Sequence, residues 1–440
     1  MNTEITSGIL EYSGDIEGSI EIPNGASILI YSKDQSYLTH GIHKFPAKFF
    51  PELPRYLIDH YSKKGATVLD PMCGSGTVVL EAYLRSRAAV GIDIDPIARL
   101  ITKVKTTPID TSVLEEARDW LLGRLMQHQS DSRYCPEIPE FNYRDNWFRD
   151  YVLHELGVIR DAIHQFRESP LAAVLPSNLA AAVYDFFMVV FSSIIRDVSN
   201  ADPHCTRTVI RQNLQKWIEH GETSEKFRET LEQQLKGMHA LFAITRDWDL
   251  EEPVLPESNA ISTGLEPESV DLAVTSPPYI NAVDYPRTHQ LEMYWLGLHE
   301  EGPLSNMKRK YIGTETVYKE EYDELGVSGL HSLDPILMKI YTVDPRRSYI
   351  VFKFFEDMKE QLKETFRVIR PGGHYCLAIG NNVIRGNVVE SHKILTEIAT
   401  AEEVGFRIEK TFFSGVIRHF IKIPRKERMD GEWVLVLRKP

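Results

Sequence analysis

One short stretch of the chain, residues 66–93, limits the possible folds more than any other. The apolar run at residues 66–69 predicts a buried strand, and a glycine-rich turn follows it at residues 70–77. Residues 78–84 have helical character, and residues 88–93 predict a second strand that ends on an acidic residue. A strand, a glycine turn, a helix and a second strand form a βαβ unit, which belongs in a parallel sheet covered by helices.

The turn itself, Asp-Pro-Met-Cys-Gly-Ser-Gly-Thr at residues 70–77, predicts a ligand site. Gly74 and Gly76 allow the backbone to approach a ligand closely, and Asp93 at the end of the next strand can hold ribose hydroxyls. The turn matches neither the dinucleotide pattern nor the phosphate-binding loop. No lysine follows the glycines to hold a phosphate, and Asp70 would repel one. A cationic ligand, such as the methionyl end of S-adenosylmethionine, is therefore favoured over a nucleoside triphosphate.

A second motif, Thr-Ser-Pro-Pro-Tyr at residues 275–279, follows the strand-like run at residues 270–274. Its two prolines remove two backbone donors and fix φ, so the strand must end there with rigidly held carbonyls. Tyr279 can stack on a flat ring while those carbonyls accept hydrogens from its amino group. The motif predicts a site for a planar, amino-bearing substrate, although an ordinary strand-ending turn can have the same sequence.

Together the two motifs resemble the paired signature of amino-methylating DNA methyltransferases. A third segment, His-Gly-Ile-His-Lys-Phe-Pro-Ala-Lys-Phe-Phe-Pro at residues 40–51, resembles the part of that family that closes over the cofactor's methionine. In the family, serine in place of aspartate at the start of the second motif is typical of cytosine-N4 enzymes. The resemblance covers residues 40–110 and 252–440, and it implies S-adenosylmethionine as cofactor and double-stranded DNA as substrate.

The resemblance also implies roles for individual residues. Hydrogen bonds from the base's amino group to Ser276 Oγ and the Pro277 carbonyl would aim the nitrogen lone pair at the methyl group, with Tyr279 stacked on a base flipped out of the duplex. Serine takes a proton poorly, so the methylated nitrogen is expected to lose its proton to solvent. The expected catalytic residues are Ser276, Pro277, Pro278 and Tyr279. The expected cofactor-binding residues are Phe45, Lys48, Asp70, Pro71, Cys73, Gly74, Ser75, Gly76, Thr77, Asp93 and Asn259.

The order of these segments predicts a doubly wound α/β fold with a mostly parallel sheet, of the class I methyltransferase type, and a helical insertion. The third strand is expected to end near residues 258–261, and residues 406–413 and 433–437 should form a closing antiparallel pair. The predicted insertion is a candidate target-recognition domain, with a scaffold or dimer surface as the alternative. The predicted parts are an N-terminal extension (1–39), a catalytic domain (40–110 and 252–440) and the insertion (111–251).

Composition adds weaker constraints. The net charge of −13 argues against a tight nonspecific nucleic-acid binder but leaves room for a local basic surface. Four cysteines without Cys-x-x-Cys spacing argue against a zinc site or a disulfide framework, and no metal is expected. The apolar run at residues 179–195 is interrupted by polar side chains, so we expect a buried helix, no membrane partner and a cytoplasmic location. The basic candidates for phosphate contacts are Lys308, Arg309, Lys310, Arg346, Arg347, Arg418, Lys422, Arg425, Lys426 and Arg428.

Several functions remain open at this point. Cytosine-C5 methylation needs a Pro-Cys motif, and the chain contains no Pro-Cys dipeptide. Adenine-N6 methylation of DNA is the nearest alternative, because the same pocket can accept that amine. Guanine-N2 methylation of RNA and a non-catalytic cofactor-binding subunit are more distant alternatives. Components of a restriction or defence system are possible partners of a DNA methyltransferase.

Overall fold

The structure is a computed structural model that describes residues 9–32, 34–211, 216–280, 283–299, 304–415 and 431–440. In these residues the main element is an eight-stranded mixed sheet, whose spatial order is β1-β2-β9-β10-β6-β5-β3-β4. A separate two-stranded ribbon is formed by β7 and β8. The strands are β1 (Leu10–Ser13), β2 (Ser27–Tyr31), β3 (Thr67–Asp70), β4 (Ala88–Gly91), β5 (Val270–Thr275), β6 (Ile369–Ile379), β7 (Asn382–Ile384), β8 (Asn387–Val389), β9 (Arg407–Gly415) and β10 (Gly431–Arg438).

The sheet confirms the predicted fold class. Strands β4, β3, β5 and β6 pair in parallel, and β10 is antiparallel to both β6 and β9. The closing antiparallel pair therefore forms where it was predicted. Because the parallel strands β3 and β5 end at the same edge, the glycine turn and the Ser-Pro-Pro-Tyr motif both emerge there.

Helices cover the two faces of the sheet and continue the alternation of the βαβ unit. Apolar side chains fill the layers between them, with one cluster on each face of the central strands. The helices outside residues 111–251 are α1 (Glu52–Tyr61), α2 (Thr77–Leu84), α3 (Pro96–Thr106), α10 (Tyr285–Thr288), α11 (Gln290–Leu296), α12 (Leu304–Lys308), α13 (Asp334–Tyr341), α14 (Pro345–Val368) and α15 (Ser391–Thr400), with a 3₁₀ turn at Lys319–Glu321.

The predicted third strand was wrong. Among the described residues, its place beside β4 holds only a single bridge between Val90 and Val254. Pro253 and Pro256 flank this position and cannot donate to a ladder, which prevents a longer pairing. Within the predicted N-terminal extension, β2 pairs in parallel with β9 and so lengthens the main sheet.

Residues 111–251 are helical wherever the structure assigns regular elements. Asp110 caps the first of these helices by accepting hydrogen bonds from the backbone of Ser112 and Val113. The predicted stripe, Leu114, Ala117, Leu121 and Leu125, is buried in a cluster that also includes side chains of α3. The helices are α4 (Thr111–Ser130), α5 (Arg144–Trp147), α6 (Asp150–Phe166), α7 (Pro170–Val174), α8 (Ser177–Ile195) and α9 (Glu222–Thr245).

Helix α8 contains the most apolar run of the chain. Among the described residues it is the one helix long and apolar enough to cross a membrane, and 67% of its apolar window is buried inside the protein. Its side chains pack against α6, α9 and α11 in the same hydrophobic cluster. The predicted buried helix is therefore present.

Candidate active site

A cavity of about 410 Å³ lies at the carboxyl edge of β3, β4 and β5. Its size is in the usual range for sites that enclose a small organic ligand. Most of the predicted site residues line it, and both motifs contribute. The predicted residues on its wall are Phe45, Lys48, Asp70, Pro71, Cys73, Gly74, Ser75, Thr77, Asp93, Asn259, Ser276 and Pro278.

Three predicted site residues do not line this cavity: Gly76, Pro277 and Tyr279. Gly76 has a positive φ of 75°, and a Cβ added there would lie 2.5 Å from the side chain of Thr102 on α3. Its role is thus the close packing of the turn against α3. Pro277 is buried beneath the motif, and Tyr279 points its hydroxyl to Glu432 at the start of β10.

The two motifs are joined by a hydrogen bond between buried side chains. Thr275 Oγ1 donates to Asp70 Oδ1 at 2.6 Å, and the Met72 amide donates to the same oxygen at 3.2 Å. Burial raises the pKa of Asp70 to about 7, against the lowering effect of these two donors. The end of β5 is therefore fixed to the end of β3, which places Ser276 on the cavity wall.

The glycine turn is held by the acidic residue that ends the next strand. Asp93 Oδ2 accepts from the Gly74 amide at 2.8 Å, and Asp93 Oδ1 accepts from the Asp95 amide at 2.8 Å. Burial raises the pKa of Asp93 to about 7. Asp93 thus shapes the turn as well as facing the cavity, and any ribose contact would use its remaining lone pairs.

Asp95 is a cavity residue that the sequence reasoning missed. Its Oδ1 caps α3 by accepting from Ile97 and Ala98, while its Oδ2 is buried and has no hydrogen bond of standard geometry in the described part of the chain. The missed signal was the Asp-Pro pair at residues 95–96, since aspartate before proline is a helix start. A helix start that directly follows β4 must lie at the mouth of the cavity.

The segment at residues 40–48 packs onto the glycine turn. The Phe45 ring stacks against Tyr285 and His289, with centroids 5.6 and 5.1 Å apart, and its edge lies over Gly74. The Lys48 ammonium donates to the carbonyls of His40 and Gln35, and burial lowers its pKa to about 8. Lys48 therefore fixes its own segment, and its contact with a cofactor carboxylate stays a prediction.

A buried ion network anchors the same segment to α2. Glu81 accepts from Arg85 at 2.6 Å, from Arg55 at 3.2 Å and from Tyr37, and it pairs with His40 at 2.9 Å. Both Glu81 and His40 are fully buried. Burial raises the pKa of Glu81 to about 8 and lowers the pKa of His40. The network fixes one arrangement of the segment, because removing a partner would leave a buried polar group without its hydrogen bond.

Asn259 lies at the cavity although the strand that should carry it is missing. Its Oδ1 accepts from the amides of Ile261 and Ser262, so the side chain builds its own turn. On the opposite wall Tyr285, Lys310, Tyr311 and Ile312 close the cavity. Lys310 ends the basic run at residues 308–310, whose members are candidates for phosphate contacts, and Tyr311 and Ile312 follow it.

Several of the basic candidates are paired with acids. Lys308 pairs with Asp284 at 2.6 Å, Arg309 with Glu321 at 2.8 Å, and Arg347 with Glu315 at 3.0 Å. Arg346 donates to the Glu315 carbonyl at 2.6 Å. The tail candidates Arg418, Lys422, Arg425, Lys426 and Arg428 lie outside the described residues. No group of His, Cys, Asp or Glu in the described residues could hold a metal ion.

Comparison with known proteins links this chain to DNA methyltransferases. A family model described as a DNA methylase matches residues 26–103, which contain the closing segment and the glycine turn. The Type II methyltransferase M.MvaI of Kocuria varians is 24% identical over 383 residues, covering 82% of this chain and 81% of the relative. The Type II methyltransferase M.BsoBI of Geobacillus stearothermophilus is 23% identical over 440 residues, covering 88% of this chain and 82% of the relative. The family model and these relatives support an amino-methylating DNA methyltransferase family for this chain.

Among solved structures, a SAM-dependent methyltransferase from Methanosarcina mazei aligns over 87% of this methyltransferase and 96% of its own chain. The identity is 10% and the TM-score is 0.31, which is too low to support any argument about this enzyme.

The methyl donor of this family is S-adenosylmethionine, and the cavity of this methyltransferase fits it chemically. Asp70, Asp93 and Asp95 give the cavity an acidic wall suited to a ligand that carries an ammonium and a sulfonium group. The Oδ2 of Asp95 is buried without a hydrogen bond of standard geometry in the described residues, and Tyr311 lies close enough to lower the pKa of Asp95 against the raising effect of burial. Gly74 keeps the turn open for a close approach, and Phe45 and Tyr285 offer aromatic surface.

Proposed function

We propose that this enzyme transfers a methyl group from S-adenosylmethionine to the exocyclic N4 amine of a cytosine flipped out of double-stranded DNA. The observation that carries the choice of cytosine is Ser276, which occupies the first position of the motif where adenine-type members have aspartate. The Ser276 side chain faces the cavity that fits the methyl donor.

In this reaction Ser276 accepts a hydrogen bond from the amine of the base. The lone pair of an exocyclic amine is delocalised into the ring, so the nitrogen must become more tetrahedral before it can attack. Hydrogen bonds from its two N–H groups to Ser276 Oγ and the Pro277 carbonyl favour that geometry and aim the lone pair at the methyl carbon. Fixed acceptors achieve this without reorganising during the reaction, and the Thr275–Asp70 bond keeps them fixed.

The identity of the modified base tests this proposal directly. Plasmid DNA from a methylation-deficient host and total RNA would be incubated separately with the enzyme and S-adenosylmethionine that carries a deuterated methyl group. Digestion to nucleosides and mass spectrometry should then find labelled N4-methylcytosine in the DNA. Tyr279→Ala, which removes the stacking ring, is the control and should leave the DNA unlabelled.

Two results would overturn the choice of target. Labelled N6-methyladenine would assign the enzyme to the adenine type, and labelled guanine in RNA alone would remove DNA as the substrate. Sequencing the labelled DNA would also give the recognition site, for which residues 111–251 are the proposed reader.

The names of the relatives also lead us to propose a partner and a location in the cell. Type II methyltransferases are named for restriction-modification systems, so we propose a partner nuclease that cuts the same unmodified site. A cytoplasmic location, where the chromosome is accessible, agrees with that assignment. Protection of plasmid DNA from a candidate nuclease after expression of this enzyme would support it.

A further inference from the structure

The Ser-Pro-Pro-Tyr motif has no carboxylate, yet the methylated nitrogen must give up a proton. The Glu432 carboxylate lies next to the tyrosine of the motif in the fold. Tyr279 donates its phenol hydrogen to Glu432 Oε1, and Glu432 is 153 residues away in the chain. The Ser276 hydroxyl is close enough to the same phenol to act on its pKa, lowering it against the larger raising effect of burial. Tyr279 is therefore hydrogen-bonded to Glu432 and has Ser276 as a near neighbour, which brings three proton-carrying side chains together.

The sheet explains why Glu432 reaches this place. Strand β10 is antiparallel to β6, with Trp433 opposite Ile379 at the end of that strand. The start of β10 therefore lies at the edge where the parallel strands end, with β6 between it and the exit of β5. Glu432 is the second residue of β10, so it meets the motif that follows β5.

We propose that Glu432 accepts the proton released in methyl transfer, through the hydroxyls of Tyr279 and Ser276. It thereby supplies from β10 the carboxylate that the motif lacks. This inference rests on the proposed function, because a target whose amine meets Ser276 is needed. Glu432 does not touch the base, so it is a positioning residue that acts through Tyr279.

The transfer balances without a further reactant. A bond forms between the amino nitrogen and the methyl carbon, the carbon–sulfur bond breaks, and its electron pair stays on sulfur. The nitrogen, now positively charged, gives one proton to Ser276 Oγ. Ser276 passes its own hydroxyl proton to Tyr279, and Tyr279 passes its phenol proton to the Glu432 carboxylate. Both hydroxyls are restored, the base is neutral, and the Glu432 acid later loses its proton to water.

The surroundings of Glu432 suit a carboxylate that accepts a proton and later releases it. Burial raises the pKa of Glu432, and the hydrogen bond from Tyr279 lowers it in part. Opposite it, β9 presents the hydroxyl residue Ser414, and next to Tyr279 lies Tyr285, whose charge would act on Tyr279. Among the described residues, His392 stacks on the adjacent Trp433, and burial lowers the pKa of this histidine to about 4. None of these neighbours places a permanent positive charge on the Glu432 carboxylate.

Single-turnover methyl transfer as a function of pH tests the inference. Saturating S-adenosylmethionine and a duplex with the mapped site would be used with the wild type and with Glu432→Gln and Tyr279→Phe. Glutamine can still accept the hydrogen bond from Tyr279 but cannot take a proton, and phenylalanine keeps the stacking ring. We expect each variant to lower the rate about 100-fold, in the range of general acid–base catalysis. The rise of rate with pH that reflects ionisation of Glu432 should disappear in both variants.

Two further measurements separate this role from a structural one. A double variant should be no slower than either single variant, since both break the same path. Binding of S-adenosylmethionine by calorimetry and flipping of a fluorescent base analogue should match the wild type. Glu409→Gln on β9, a glutamate that pairs with His374 away from the motif, is the matched control and should change nothing in these assays.

Clear outcomes would overturn the inference. A Glu432→Gln enzyme with the wild-type rate and pH profile would show that the proton leaves by another path. A loss of rate matched by a loss of base flipping or of thermal stability would make Glu432 structural, and Glu432→Asp would then fail in the same way. The labelled product of the wild type tests the target base separately, so failure of the proposed function is distinguishable from failure of this proton path.

Discussion

The cofactor half and the acceptor half of the site are assembled over very different distances in the chain. The cofactor half is built mainly from residues 45–95, in which one strand, turn, helix and strand follow each other. The acceptor half joins the end of β5 to the start of β10, and its key contact spans 153 residues. The comparison teaches that a local motif can define a binding site, whereas proton transfer here depends on how the sheet is closed.

The two halves also differ in what their carboxylates do. In the cofactor half, Asp70 and Asp93 accept hydrogen bonds from the turn and from Thr275, so they shape the cavity. In the acceptor half, Glu432 accepts from a single phenol. Substitutions in the first half should therefore act on ligand affinity and stability, and those in the second on the chemical step.

The largest effect is expected from Ser276→Ala. This change removes the acceptor for one amine hydrogen while leaving the Thr275–Asp70 bond in place. Loss of one preorganised hydrogen-bonding group at a reacting centre costs about 10²–10³ in kcat. Single-turnover kinetics should show this drop, and calorimetry should show unchanged affinity for S-adenosylmethionine. A comparable loss of cofactor affinity would mean that the halves are not separable at Ser276.

A smaller effect, on stability, is expected from Asp70→Asn. Burial raises the pKa of Asp70 to about 7, whereas an aspartate in the unfolded chain has a pKa near 3.9. Between these values the folded state binds more protons, so the free energy of unfolding falls as the pH rises, by up to about 1.4 kcal/mol per pH unit for one group. Asparagine can still accept the hydrogen bond from Thr275, but it does not ionise, so its contribution to the pH dependence of the free energy of unfolding is lost. Urea titrations at several pH values measure it.

In the Asp70→Asn variant, part of the pH dependence of the free energy of unfolding should remain. Asp93 supplies it, because burial raises the pKa of Asp93 to about 7 as well. Asp110→Asn is a control in which the pH dependence of the free energy of unfolding should change in the opposite direction. Hydrogen bonds from Ser112 hold the pKa of Asp110 below its usual value, so its contribution is present at neutral pH and lost in acid. An Asp70→Asn protein whose stability depends on pH as in the wild type would contradict a raised pKa of Asp70 in the folded protein.

The same contrast explains what could be predicted from the sequence. The fold class and most of the cofactor wall followed from the βαβ unit, because strand, turn and helix signals there are contiguous and each residue's place depends on its neighbours. Glu432 could not be predicted, since its position depends on the pairing of β10 with β6. The third strand failed for a local reason, because Pro253 and Pro256 interrupt the segment that bridges to β4.

Asp95 and Tyr311 were missed for different reasons. Asp95 had a usable signal, the Asp-Pro helix start, that was not connected with the cavity. Tyr311 had none, because it reaches the cavity from a segment beyond α12 whose path depends on tertiary packing. Its neighbours in the sequence are basic, which indicated phosphate contacts in place of a cavity wall.

The smallest effect is expected from Gly74→Ala in the cofactor half. Gly74 has a φ of 50°, and an added Cβ would lie 3.2 Å from the Phe45 ring. A left-handed backbone costs a residue with a Cβ roughly 1–2 kcal/mol of stability. The added Cβ would also force the Phe45 ring, which lines the cavity, to shift, so the dissociation constant of S-adenosylmethionine should rise about tenfold. At saturating cofactor, kcat should change little, because Ser276 and Tyr279 are untouched.

Gly25→Ala is the matched control for that experiment, because Gly25 also has a positive φ, of 78°, but nothing within 4 Å of an added Cβ. It carries the same backbone strain far from the cavity, so it should lower stability and leave the dissociation constant unchanged. If Gly74→Ala instead lowered kcat at saturation as strongly as Ser276→Ala, strain in the glycine turn must reach the acceptor. The Asp70–Thr275 hydrogen bond is the direct route between them, and the two halves would then have to be treated as one unit.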